Sequence, residues 1–136
     1  MQTFNKKERL CNKSLIEQLF KKGSSISAYP FKLIWINTED INKPINFNTD
    51  YPAKILISVS HRNFHKAVDR NKIKRLIREV YRKNKNILYD FLNTNNINCI
   101  FSVIYISKKI LPYKEFENKI LLLLQKLIKE NVENIK

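Results

Sequence analysis

The chain has 136 residues, enough for one domain with a single hydrophobic core, and 43% of them are apolar. The formal net charge is +14, from 26 basic and 12 acidic residues, which indicates a polyanionic partner: a nucleic acid first, an anionic membrane second. One glycine and four prolines exclude a flexible linker or disordered tail as the dominant feature. Because Lys, Asn and Ile abound, drift in an AT-rich coding sequence is an alternative source of part of the charge.

The N-terminal residues and the cysteines predict a cytoplasmic protein. The chain opens without an apolar run of signal-peptide length, and no stretch approaches the ~18 apolar residues of a membrane span. Residues 1–12 are polar and basic, and we expect them to be flexible. Cys11 and Cys99 form no CxxC pair, so we expect reduced thiols that fill the core rather than metal ligands or nucleophiles.

The first part of the chain predicts one helix and then one or two strands. Residues 13–22 carry apolar side chains at helical spacing, and Gly23 directly after them is a suitable helix stop. Residues 26–37 alternate as a strand does, with Pro30 marking an edge or a kink and with an extra short strand near 26–29. One face of this strand carries three large apolar residues, Phe31, Leu33 and Trp35, and we expect Trp35 in the core.

The second part alternates strands and helices. A surface loop precedes a strand over 53–60, and a helical period then runs from about 66 to 83. Residues 84–96 are rich in Asn, although their apolar residues could extend the helix by a turn. Residues 97–106 are almost continuously apolar, as expected of a strand buried on both faces, and a final amphipathic helix follows Pro112.

These elements predict a single α+β domain over residues 1–136. The order is α-β-β-α-β-α, with one more strand if the short one forms. A buried strand on each side of the middle helix predicts a βαβ unit within an α-β sandwich.

The middle helix has a packed face and a cationic face. Residues 61–85 hold ten Lys or Arg and two acidic residues, a local net charge of +8. Five of the six arginines fall in one 21-residue window, where drift toward AT-rich codons would replace Arg by Lys, so a role in phosphate contacts is favoured. Four of the cations are spaced four residues apart in a ladder about 18 Å long: Arg70, Lys74, Arg78 and Arg82.

This ladder favours an anionic partner over a catalytic or metal site. Like charges at this spacing destabilise an isolated helix by tenths of a kcal/mol per pair, which a phosphate backbone would offset. A solvated helix face is the alternative, but such a face normally mixes both signs. His61 and His65 lack a Cys, Asp or Glu cluster that would complete a metal site, so none is predicted. We expect Asp69 and Glu79 to pair with nearby Arg rather than act as general acid and base, and we identify no catalytic residue.

The segment from Arg70 to Glu79 resembles the signature of the bacterial ribonuclease P protein family, Arg-Asn-Arg-x-Lys-Arg-x-x-Arg-Glu. The strand ILISVS that ends at Ser60, the Ala67-Val68 pair and the end of the first helix, LFKKG, are similar to the family pattern too. The resemblance spans roughly residues 9 to 128. Departures occur at Lys72, where the family usually has a second Arg, and at His61-Arg62, where it usually has Lys-Lys.

The resemblance implies a protein subunit of the ribonuclease P ribonucleoprotein. Such a subunit binds the catalytic RNA and the 5′ leader of precursor tRNA, and it promotes Mg²⁺-dependent endonucleolytic removal of the leader. The RNA carries the chemistry, and the RNA and the substrate hold most of the Mg²⁺, so the polypeptide alone is not expected to be active. No membrane and no DNA partner is expected. The family also implies a rare left-handed βαβ crossover, against the right-handed rule.

The same resemblance assigns most of the site residues; Arg62 and Arg82 are added from the basic window, and Phe31 is added because aromatic rings stack on unpaired bases. Those expected to face RNA are Arg62, Arg70, Asn71, Lys72, Lys74, Arg75, Arg78 and Arg82. Those expected in a leader cleft between sheet and helix are Phe20, Phe31, Lys74 and Arg78. Core packing is the alternative for the two phenylalanines, since aromatic rings serve equally in a core and in stacking on unpaired bases.

Three other functions compete with this one. A generic, ribosomal-like RNA-binding protein would share the charge but has no reason to carry the ten-residue signature. A helix-turn-helix DNA-binding protein needs two helices joined by a short turn, yet a strand directly precedes the basic helix. A stand-alone nuclease would need an acidic cluster, which the sequence lacks.

Overall fold

The structure, a computed structural model, describes residues 6–41 and 50–135. Four helices and four strands follow one another in this part of the chain: α1 (Lys13–Lys22), β1 (Ser24–Ala28), β2 (Phe31–Asn37), β3 (Ala53–Val59), α2 (Ala67–Asn84), α3 (Asn86–Thr94), β4 (Cys99–Tyr105) and α4 (Tyr113–Ile135). Single 3₁₀ turns lie at Lys6–Glu8 and Thr38–Asp40.

The strands form one mixed sheet in the order β1-β2-β4-β3. Strand β2 pairs antiparallel with both β1 and β4, whereas β3 and β4 are parallel neighbours. Because α2 and α3 connect the two parallel strands, the predicted βαβ unit is confirmed; the hand of its crossover stays a prediction. The extra short strand is also confirmed as β1, and Pro30 lies in the turn between β1 and β2 after a cis peptide bond.

Helices cover both faces of the sheet and bury its apolar side chains. The larger core lies between the sheet and helices α2, α3 and α4, and it contains Trp35, as expected. The smaller core lies between α1 and the opposite face, with Leu15 and Leu19 of the helix against Ile36 and Ile100 of the strands. Strand β4 is buried on both sides, which explains its unbroken apolar sequence.

The Asn-rich segment after α2 forms a separate helix, α3, where at most one more turn of the preceding helix was predicted. Leu88 and Leu92 are fully buried, so the segment has an apolar face that packs on the core. Two asparagines of residues 84–96 lie at helix ends: Asn84, the last residue of α2, donates through Nδ2 to Val80 O, and Asn95, after α3, donates through Nδ2 to Phe91 O. Asparagine is unfavourable inside helices, but its side chain can donate to the free carbonyl groups at a helix end. The asparagine content of the segment therefore obscured the helix.

Residues 6–12, here called the N-terminal strap, are packed against the sheet. The predicted flexibility of residues 1–12 is therefore wrong for the strap, while residues 1–5 lie outside the described residues. Leu10 is 3% exposed and its N–H donates to Ile55 O at 2.9 Å, and Arg9 forms a parallel bridge with the same residue. Since β3 is an edge strand, the strap covers part of an edge that would otherwise present unpaired backbone groups.

Gly23 ends α1 for a different reason from the one predicted. Its φ of −69° is ordinary for any residue, so the left-handed conformation typical of a helix-terminating glycine is absent. A Cβ at this position would lie 2.4 Å from Leu19 O and 2.6 Å from Ile34 Cγ2. The glycine is therefore needed for the close approach of α1 to β2.

Gly23→Ala should destabilise the protein by about 1–3 kcal/mol, because the added methyl group forces the helix and the strand apart. The free energy of unfolding in urea measures the effect. Ser25→Ala, an exposed change in the adjacent strand, is the control and should stay within about 0.5 kcal/mol. Equal stability of the two variants would show that α1 can shift at no cost.

Candidate nucleic-acid interface

Helix α2 presents an apolar face to the core and a cationic face to solvent. Ile73, Ile77 and Val80 are fully buried, at a spacing that keeps them on one side of the helix. On the opposite side three of the predicted RNA-facing residues are exposed: Asn71, Lys72 and Arg75. The helix thus holds a row of hydrogen-bond donors on a rigid element.

A cleft of about 180 Å³ lies beside α2 at the β3 edge of the sheet. Its walls are α2 and the N-terminal strap, and β3 forms its floor. Lys74 and Arg78 both line it, which places these two residues between helix and sheet as predicted. The remaining lining residues are Arg9, Leu10, Cys11, Ile55, Leu56 and Ile57. The cleft therefore combines three cations with an apolar floor.

Two arginines, Arg9 of the strap and Arg78 of α2, line this cleft. Burial lowers the pKa of Arg78 from its usual value, and the nearby positive charge of Arg9 lowers it further. Neither Arg78 nor Lys74 forms an ion pair with the described residues. The cleft is therefore a region of concentrated positive charge that an anionic chain would neutralise.

Two of the arginines predicted to face RNA, Arg62 and Arg70, lie outside the cleft. Arg70 Nη1 donates to Phe64 O at 2.7 Å and to His65 O at 2.9 Å, so it holds the loop that precedes α2. Arg62 lies in that loop and lines a separate depression of about 440 Å³ together with Asn63 and Lys108. Arg62 and Asn63 lie in the loop after β3, and Lys108 lies in the loop after β4. These two loops are neighbours because β3 and β4 are parallel and end on the same side of the sheet.

At the far end of α2, the positive charge is partly cancelled. Arg82 donates two hydrogen bonds to Glu79, at 2.6 and 3.3 Å, and Lys83 lies 3.6 Å from the same carboxylate. The hydrogen bond lowers the pKa of Glu79 and raises the pKa of Arg82. The predicted pairing of Glu79 is confirmed, whereas Asp69 forms no ion pair within the described residues. Arg82 is therefore less available to a phosphate than Lys74 and Arg78.

The two phenylalanines predicted for the leader cleft have different environments. Phe31 is 0% exposed and lies in the larger core, where its ring meets Tyr105 and Phe116 edge-on at 5.5 and 5.3 Å. Its placement in the cleft is wrong, because the face of β2 that carries it packs against α4. Phe20 is 46% exposed on α1, so it is not a core residue, and it does not line the cleft described above.

The strap residues of the cleft were missed by the sequence analysis. Arg9 is the one arginine outside the basic window, and nothing in its neighbourhood indicates that it meets α2. Cys11, predicted to fill the core, is exposed, whereas Cys99 is buried as expected. Burial raises the pKa of Cys99 to about 12, so Cys11 is the more reactive thiol.

The histidine pair forms a ring contact, with centroids 5.5 Å apart in an edge-on arrangement of His61 and His65. Within residues 6–41 and 50–135, no group of three or more His, Cys, Asp or Glu is placed to hold a metal ion. Among the helices of that same part of the chain, none has the length and apolar character needed to cross a membrane.

A single α+β domain with a cationic helix face beside a basic cleft defines a small nucleic-acid-binding protein. The family model for ribonuclease P matches residues 4–128 of the chain. The chain belongs to the ribonuclease P protein family.

Relatives and solved structures agree with this membership. The ribonuclease P protein component of Petrotoga mobilis is 34% identical over 93% of this chain and 96% of its own length. That of Porphyromonas gingivalis is 28% identical over 83% of this chain and 77% of its own. The ribonuclease P protein from Thermotoga maritima superposes with a TM-score of 0.65 at 23% identity, over 88% of this chain and 96% of that one, and therefore supports the fold.

Proposed function

We propose that this protein is the RNA-binding subunit of a ribonuclease P ribonucleoprotein that removes the 5′ leader of precursor tRNA. Family membership supports the assignment to the ribonucleoprotein. The observation that carries the finer proposal is the pair of adjacent cationic surfaces on α2. One is exposed and extended, as a surface for a folded RNA would be, and the other lines a narrow cleft, as a surface for a single strand would be.

The exposed surface, formed by Asn71, Lys72 and Arg75, binds the catalytic RNA. Guanidinium and ammonium groups contact phosphates without reading sequence, and each neutralised phosphate releases counterions. A rigid helix presents these donors at low entropic cost. The surface positions the protein on the RNA and leaves the chemistry to the RNA.

The cleft binds the single-stranded leader. Lys74, Arg78 and Arg9 neutralise successive phosphates, and the apolar floor of β3 accepts sugar and base surfaces. Phe20, half exposed on α1, is available to stack on an unpaired base beyond the cleft. The protein thereby raises the affinity for precursors over mature tRNA.

Mg²⁺ is held mainly by the catalytic RNA and the substrate phosphates. The interface on this chain is cationic, and it favours phosphate over a metal ion. By neutralising phosphate charge close to the metal sites, the subunit lowers the Mg²⁺ concentration that the ribonucleoprotein needs. The predicted cytoplasmic location fits this role, since tRNA precursors and reduced thiols are found together there.

Leader cleavage of a precursor tRNA at low Mg²⁺ tests the proposal in three reactions: catalytic RNA alone, protein alone, and both together. We expect efficient cleavage only with both. A competent RNA, shown by its activity at high Mg²⁺, that gains nothing from the protein would favour a generic RNA-binding protein. Cleavage by the protein alone would instead identify a nuclease.

A further inference from the structure

Glu8 is a charged side chain inside the protein. Its exposure is 0%, and both of its carboxylate oxygens accept hydrogen bonds from Lys85 Nζ at 2.8 Å. Tyr89 Oη donates to the same carboxylate through a short hydrogen bond, and Tyr81 Oη donates to Tyr89 Oη at 3.0 Å. Burial raises the pKa of both tyrosines, so they stay protonated and able to donate. The Lys85 ammonium group and the Tyr89 hydroxyl group thus compensate the cost of burying the Glu8 carboxylate.

This cluster joins the two walls of the cleft. Glu8 belongs to the strap and directly precedes Arg9, whereas Lys85 follows the last residue of α2, the helix that carries Lys74 and Arg78. Lys85 is also the corner between two helices, because its carbonyl accepts the first backbone hydrogen bonds of α3. A contact with so rigid a corner fixes the strap relative to α2.

Two other hydrogen bonds of the strap lead to β3 and not to α2. Leu10 N–H donates to Ile55 O, and Lys54 Nζ donates to Lys7 O at 2.7 Å, so both bonds connect the strap to β3. They hold the strap to the floor of the cleft but do not determine its distance from the opposite wall. The Glu8 cluster supplies that second restraint.

The restraint acts against a repulsive force. Burial lowers the pKa of Arg78 and the positive charge of Arg9 lowers it further, so the two like charges repel each other. Loss of the Glu8 contacts would allow the strap to move away from α2 and Arg9 to move away from Arg78. Glu8 opposes that movement while the cleft is empty, so Arg9 is already in place when an anion arrives.

We propose that Glu8 is a positioning residue: its buried contacts with Lys85 and Tyr89 hold Arg9 in the cleft, where Arg9 binds the phosphates of a single-stranded RNA. This inference rests on the proposed function and deepens it. Preorganised charge binds more tightly because the cost of ordering has already been met in the free protein.

A spin label on Cys11 tests the positioning without reference to RNA. Cys11 is exposed in the strap, whereas Cys99 is buried and unreactive, so one site is labelled in the native chain. We expect a restricted label in the parent protein and a mobile one in Glu8→Gln, because the neutral side chain leaves the Lys85 ammonium buried without its counter-charge. Glu17→Gln makes the same chemical change at an exposed site and should leave the label restricted.

Rescue distinguishes positioning from general loss of structure. The double variant Glu8→Gln/Lys85→Met removes both buried charges, which proteins tolerate far better than removal of one. The label should become restricted again in this variant. If Glu8→Gln fails to fold, the double variant combined with Tyr89→Phe still tests the cluster, since it removes the hydrogen bond from Tyr89 to residue 8.

Binding by the reconstituted ribonucleoprotein tests the ligand. Glu8→Gln should weaken the binding of a long-leader precursor about tenfold, as expected for one lost charge-assisted contact. The binding of a precursor with a single-nucleotide leader should hardly change. Adding Arg9→Ala to Glu8→Gln should cause little further loss, because both changes remove the same contact. Equal loss for both precursors, or an unchanged Cys11 label, would overturn the inference. A parent ribonucleoprotein indifferent to leader length would overturn the leader role of the cleft itself, while the label still reports on positioning.

Discussion

Phe31→Ala should lower the free energy of unfolding by about 3–5 kcal/mol. The ring is fully buried and packs edge-on against Tyr105 and Phe116, so its removal forfeits both aromatic contacts and leaves a cavity between the sheet and α4. Denaturation in urea, monitored by circular dichroism, measures the change. Binding of the leader by the folded variant should remain close to that of the parent protein, because Phe31 is buried in the larger core and does not line the cleft.

Phe20→Ala is the matched control, since it removes the same ring from a half-exposed site. It should cost less than about 1 kcal/mol of stability. Its effect should appear instead in binding, with long-leader precursors weakened more than mature tRNA. A large loss of stability in Phe20→Ala, or a leader-specific loss in Phe31→Ala, would reverse the two assignments.

The second large effect is expected in the cleft. The double variant Lys74→Ala/Arg78→Ala should weaken binding of a long-leader precursor by roughly 10²–10⁴-fold, since two charge-assisted contacts of about 1.5–3 kcal/mol each are lost. Both residues line the cleft and neither forms an ion pair within the described residues, so no internal partner is left uncompensated. Equilibrium binding to the reconstituted ribonucleoprotein measures the loss.

Lys72→Ala/Arg75→Ala removes the same number of charges from the exposed face of the same helix. This control should weaken binding of the catalytic RNA and reduce its salt slope by about two, one for each phosphate contact. It should leave the preference for long leaders intact. If both double variants reduced catalytic-RNA affinity and leader preference alike, α2 would carry one undivided surface, and the division into two sites would be wrong.

Local patterns were sufficient to predict much of the fold. Helix α1, strand β3, helix α2 and strand β4 each carry a periodicity that reflects the face they bury, and the structure places all four within one or two residues of the predicted bounds. Helix α3 was missed because the asparagines of residues 84–96, which lie at or near the helix ends, obscured the apolar residues between them that pack on the core. Alternation in β2 placed Phe31 on the same face as Trp35, which meets the main core, whereas the wrong cleft assignment of Phe31 came from the ability of aromatic rings to stack on bases.

The cleft could be predicted only in part. Lys74 and Arg78 follow from the periodicity of a single helix and from the family signature. Arg9 and Glu8 depend on contacts with β3 and with the end of α2, and a pairing such as that of Glu8 and Lys85 spans 77 positions. No local pattern records such a partner, and a lone acidic residue in a basic N-terminal segment resembles a solvent-exposed one.

The long span between Glu8 and Lys85 also orders the events of synthesis. The strap leaves the ribosome before its partners do, and its partner at the end of α2, Lys85, emerges only after more than half of the 136 residues have been made. Closing so large a loop is entropically costly until the intervening elements have formed, so helix α2 can fold locally well before the strap docks. The basic helix therefore forms before the cleft is complete. We expect a nascent chain to bind folded RNA before it can bind a single strand.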